Sequence, residues 1–161
     1  MPSFHNAYYE AAEYILLCIK HNKPNLKTAI AVWWNPPWGG SYKLNTNGVC
    51  IGNPGRERRT RGVIGNANVD WVLGFCNTFS LATNNQLKLL ALNEGLKLIE
   101  YNNFLPAEVN VDSMKAINML KNGNLHYNAI LDECRSRLRR LEAPVVQHCY
   151  REQNQVVNAH F

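Results

Sequence analysis

Three aspartates, Asp70, Asp112 and Asp132, lie far apart in a chain rich in asparagine, which occurs in pairs at Asn84-Asn85 and Asn102-Asn103. Carboxylates serve general acid–base chemistry and hold divalent cations. An enzyme that gathers them around metal ions would here draw on a thin supply. The five cysteines, Cys18, Cys50, Cys76, Cys134 and Cys149, are odd in number and form no CxxC. That pattern favours reduced thiols and argues against a zinc site. Basic residues are more plentiful. Arg56, Arg58, Arg59 and Arg61 follow a Gly-Asn-Pro-Gly sequence, and Arg135, Arg137, Arg139 and Arg140 recur along a helical pattern. Guanidinium forks suit phosphate oxygens, so the first group is a candidate nucleic-acid contact, with a solvated hairpin tip as the plainer alternative. The second group is more simply the wet face of a helix.

The bulk properties are compatible with such a partner. The chain has 161 residues, enough for one domain with a full core, and carries a net charge of +5. Its pI is about 9.0, which suits nucleic acid but also simply favours solubility. No run approaches the ~18 apolar residues of a membrane helix. The apolar stretch from Tyr14 to Ile19 follows Glu10 and Glu13, unlike a secretion signal. An intracellular protein, nuclear or cytoplasmic, is expected, with no membrane partner.

These residues need elements to position them. Residues 6–20 have the spacing of a short amphipathic helix. Residues 21–41, with Pro24, Pro36, Pro37, Gly39 and Gly40, form a linker that Trp33, Trp34 and Trp38 anchor by packing. The division expected is an N-terminal helix and linker over 1–40 and a main domain over 41–161. Strands are predicted at 42–48, 61–66 and 71–80, the first two joined by the Gly52–Gly55 turn. The clearest helix spans 84–102, with Leu89, Leu92, Leu96 and Ile99 on one stripe and Ala91 and Gly95 small enough for close approach to a sheet. A strand over 108–112 ends at an Asp-Ser pair that caps a helix over 113–121. Asn122-Gly123-Asn124 stops that helix. A basic helix over 127–141, a strand over 145–150 and the first turns of a last helix complete a mixed α/β order.

Lys43-Leu44-Asn45-Thr46-Asn47-Gly48, Gly52-Asn53-Pro54-Gly55, Gly62-Val63-Ile64, Trp71-Val72-Leu73-Gly74-Phe75, Val111-Asp112-Ser113 and the run His148 to Asn154 occur in order at sensible spacing. Together, over about residues 33–161, they resemble the ribonuclease-H-like domain of plant non-LTR retrotransposon reverse transcriptases and its free-standing relatives. The resemblance implies a ribonuclease H-like fold, a five-stranded mixed sheet with helices on its faces. It also implies cleavage of the RNA strand of an RNA–DNA hybrid by two Mg²⁺ ions held on four carboxylates. Two cations about 4 Å apart repel one another and need concentrated negative charge.

This sequence departs from that pattern. The family's first-strand aspartate falls on Asn47, its helix glutamate on Lys88 and its last-helix aspartate on Asn158; only Asp112 keeps its carboxylate. A site of about −4 becomes one near zero, with an ammonium repelling any cation. Glu94 faces away around the helix, and Glu152 alone would not restore two ions. His148 is expected to be structural. The expected function is a degenerate, non-catalytic ribonuclease H-like protein that binds nucleic acid, hybrid or duplex, with no cofactor. The alternatives are a Mg²⁺-dependent hybrid ribonuclease with residual activity and a decayed retrotransposon relic without a selected role. Lys88 is expected to stand in for a metal ion beside Asp112, with Asn47 and Asn158 completing the hydrogen bonds.

Asp→Asn and Glu→Lys each need a single G-to-A change in the codon. If deamination in a silenced element produced positions 47, 88 and 158, the coding DNA will show an excess of G-to-A and C-to-T differences from close intact relatives. A flat substitution spectrum would sink this history.

Overall fold

The computed structural model of the chain describes residues 34–52, 57–154 and 157. The predicted helix over 6–20, Trp33, Asn53 to Arg56 and Asn158 lie outside the described residues. Five strands form one sheet: β1 (Tyr42–Ile51), β2 (Glu57–Asn66), β3 (Trp71–Phe79), β4 (Ala107–Val111) and β5 (Val146–His148). Their spatial order is β3-β2-β1-β4-β5, so β1 is central. β1, β2 and β3 pair antiparallel, whereas β4 runs parallel to both β1 and β5. Three helices, α1 (Asn84–Asn102), α2 (Met114–Asn122) and α3 (Asn128–Arg140), complete the expected mixed α/β architecture.

Local chemistry sets the helix ends. The Thr83 side chain accepts a hydrogen bond from the Gln86 amide at the start of α1, and Asn103 closes that helix in the left-handed region at φ 53. Ser113 caps α2 by accepting from the Ala116 amide, as the Asp-Ser pair foretold. Arg135 of α3 donates from Nε to the Leu120 carbonyl at 2.8 Å and from Nη2 to that of Met119 at 3.2 Å, satisfying the loose end of α2. Arg137 and Arg140 both grip Glu100 of α1. The hydrogen bond from Arg140 holds the Glu100 carboxyl below its ordinary range. Much of the basic face of α3 is therefore committed to helix–helix contacts.

The main core lies between one face of the sheet and the three helices, built from Leu44, Ile64, Val109 and Val111 below and Leu89, Leu92, Leu96, Ile99, Met119 and Leu131 above. Two glycines let α1 lie directly on β1. A Cβ on Gly95 of α1 would come within 2.6 Å of Leu44, and a Cβ on Gly48 of β1 would come within 2.5 Å of the Leu87 carbonyl oxygen. A smaller cluster on the other face joins Trp34, Val63 and Val157, with Val69 and Trp71 beside it.

Two boundaries differ from expectation, and the difference matters. β1 continues to Ile51 and β2 begins at Glu57, because the ladder runs unbroken from Asn47↔Arg61 to Ile51↔Glu57. Arg58, Arg59 and Arg61 thus belong to a paired strand and not to a hairpin tip. β5 is shorter than expected, although the Cys149 amide still reaches the Val111 carbonyl at 3.0 Å.

Gly48→Ala should cost about 3 kcal/mol or more in urea unfolding, because the new methyl meets helix backbone and not a yielding side chain. Gly39→Ala, with nothing within 4 Å, should change stability little. Equal midpoints for the two variants would refute the close β1–α1 contact.

Candidate functional site

β4 ends beside the middle of β1. Their last paired residues are Thr46 and Val111, so the next residue on each, Asn47 and Asp112, follows where β4 leaves the sheet and β1 continues. Gly48 rests on the α1 backbone at Leu87 and Lys88, which fixes the first turns of that helix over the same spot. From there Lys88 reaches across, and its Nζ lies 2.8 Å from Asp112 Oδ1. The expected ion pair is formed. It is largely sheltered, with the Asp112 side chain 2% exposed and that of Lys88 17%. Sheltering raises the cost of leaving either charge alone and so makes the pairing strongly preferred.

The opposite side of the site is fastened by amides. Trp34 Nε1 donates to Asn45 Oδ1 at 2.9 Å, Asn45 Nδ2 to Asn154 Oδ1 at 3.3 Å, and Asn154 Nδ2 to the Thr46 carbonyl at 2.8 Å. This buried relay binds the chain before β1 and the chain after β5 to the middle of β1. It sets the terminal segment beside Thr46, one residue from Asn47. The sequence pattern marked Asn154 as part of a motif but did not reveal its partners. A buried amide needs neighbours, and the identity of those neighbours is not periodic in sequence.

The candidate arginines separate. Arg58 donates to the Ala82 carbonyl at 3.1 Å and the Ser80 carbonyl at 2.9 Å, tying β2 to the loop before α1. Arg59 pairs with Glu57. Arg61 lies directly across the ladder from Asn47. His148, expected to be structural, is exposed, with its ring 5.7 Å from that of Tyr150 in an edge-on arrangement. Next to it, burial pushes the Cys149 thiol up to about 12, and the Asp112 charge adds to the effect.

A pair of Mg²⁺ ions does not fit the donors present. Among the described residues no three His, Cys, Asp or Glu side chains gather into a metal-holding group. The Asp112 carboxylate is already matched by an ammonium, so it has no net charge to offer a cation. Asn47 carries no charge.

A family model described as "Reverse transcriptase-like" matches residues 45–160. No curated protein matches this sequence. Solved structures with the same fold include the N-terminal RNase H domain of a Mycobacterium tuberculosis protein, at 16% identity and TM-score 0.66, covering 74% of this chain and 94% of that one. RNase H1 from Halobacterium salinarum is 24% identical with TM-score 0.59, covering 74% and 92%. An RNase H1 known as LC11, solved in complex with RNA/DNA hybrid, is 19% identical with TM-score 0.63, again covering 74% and 92%.

Lys88→Met should destabilise the protein by about 3 kcal/mol, since it strands a sheltered carboxylate. Adding Asp112→Asn should recover most of that loss, because the stranded charge goes with it. Additive losses in urea unfolding would mean that the two residues do not depend on each other.

Proposed function

We propose that this chain, which belongs to the reverse transcriptase-like family, binds nucleic acid on a ribonuclease H fold and does not cleave it. The observation that carries this reading is the lysine at 2.8 Å from Asp112. Hydrolysis by two metal ions relies on negative charge to hold the cations that generate the attacking hydroxide and stabilise the leaving oxygen. Of the four positions where the resemblance places carboxylates, one keeps its acid, and a cation of the protein itself occupies that acid. Asn47 and Asn158 can offer neutral carbonyls, but Mg²⁺ sheds water reluctantly and gains little from them.

Binding has separate requirements. It draws on shape and on positive charge facing phosphates, and the chain has a net charge of +5. That LC11 has been solved with RNA/DNA hybrid bound supports a hybrid or duplex as the ligand class. Descent from a plant-type retrotransposon accounts for both the motif order and the changed acids.

A cleavage assay on labelled RNA–DNA hybrid with Mg²⁺ or Mn²⁺, with binding measured in parallel, decides the matter. Expected are salt-sensitive binding and no metal-dependent product. Cleavage that Asp112→Asn abolishes would overturn the reading. The triple change Lys88→Glu, Asn47→Asp, Asn158→Asp should bring back tight metal binding, and with it a measure of cleavage.

A further inference from the structure

We propose that Arg61 forms an anion site in the middle of β2 beside Asn47, and that its ligand is a phosphate group of nucleic acid. This rests on the nucleic-acid reading above for the source of the phosphate, but not for the site itself.

Arg61 is only 8% exposed. Among the described residues it makes no hydrogen bond or ion pair, and its Nε is shut off from solvent without a partner. The other described arginines that are not fully exposed have partners: Arg58 two carbonyls, Arg59 the Glu57 carboxylate although its Nε is likewise enclosed without one, Arg135 the end of α2 and Arg137 Asn93 and Glu100. A sheltered guanidinium with nothing to neutralise it is strongly disfavoured unless a ligand supplies the charge.

The positions around it explain why its described neighbours do not. Arg61 pairs with Asn47 on β1 and with Cys76 on β3. Residues paired across an antiparallel ladder present their side chains to the same face. Neither neighbour is an acid. The carboxylate of Asp112 is already matched by Lys88. An aspartate at position 47 would have faced Arg61 across the ladder as a counter-ion, whereas asparagine brings no charge. The result is a charge-inverted site, with one sheltered positive charge where the family's pattern would place acids.

Of the Arg61 nitrogens, Nε is the one enclosed without a partner, and the residue as a whole keeps 8% of its surface exposed. The two terminal nitrogens form the fork that engages two phosphate oxygens at once. Their aliphatic stem is held in the sheet, so the fork is positioned before any ligand arrives.

The test uses the full chain, with hybrid binding followed against salt and unfolding followed in phosphate and in chloride at matched ionic strength. Wild type should bind hybrid and should be stabilised by inorganic phosphate. Arg61→Gln should weaken hybrid binding about tenfold. It should also lower the slope of log affinity against log salt by about one contact's worth. In addition it should abolish the phosphate effect. Asn47→Asp should do the same by supplying an internal counter-ion, and should raise the unfolding midpoint in chloride. Arg139→Gln, an exposed change on α3, serves as the control for general charge. Unchanged slopes and an unchanged phosphate effect in both Arg61→Gln and Asn47→Asp would overturn the site. If wild type binds no hybrid yet phosphate stabilises it through Arg61, the anion site stands and the nucleic-acid reading falls. If neither ligand acts on wild type, both fall.

Discussion

The closeness of α1 to β1 governs the rest of this molecule. At Gly48 the strand backbone meets the helix backbone with no room for a single Cβ, and at Gly95 the helix in turn accepts Leu44. That contact fixes the height and rotation of α1 on the sheet. The rotation decides that Lys88, and not a neighbour one residue away, arrives over the end of β4. The leucines of α1 then bury themselves against β1 and β2 because the helix has been brought within van der Waals reach. The ion pair at Asp112 follows from this packing and does not cause it.

The second face of the sheet is held by different means. Its apolar cluster is small, and much of its order comes from the amide relay through Trp34, Asn45 and Asn154. Each of those side chains is buried, so each hydrogen bond is dear to break. The relay joins three distant stretches of chain at Thr46. It therefore places the segments before β1 and after β5 in register with the central strand. A scaffold of this kind does not depend on the charges at positions 88 and 112, because none of its bonds uses those side chains.

The arginines show how little residue type says without surroundings. Arg135 ends a helix, Arg137 and Arg140 clamp α3 to α1, and Arg58 ties β2 to a loop. These are neutralising or carbonyl-satisfying roles inside the fold. Basic charge counted from composition would credit all of them to a ligand. What sets Arg61 apart is its lack of partners among the described residues in a sheltered place, a property of position alone.

Much was legible in the sequence by itself. Leu89, Leu92, Leu96 and Ile99 recur at helical spacing, Thr83 and Ser113 supply cap oxygens, and Gly123 closes a helix, since these are local signals carried by a few adjacent residues. The order of motifs indicated the mixed sheet, and the types at positions 47, 88 and 112 foretold a neutralised carboxylate. The tertiary structure decided what depends on distant chain meeting in space. It extended β1 and β2 through the arginines, because ladder pairing outweighed the poor strand preference of that charged run. It assigned the basic face of α3 to Glu100 and to the end of α2. It built the relay from Trp34 to Asn154, and it set Arg61 opposite Asn47. No periodicity encodes those meetings. Register and burial create them, and both arise only once the central strand has its neighbours.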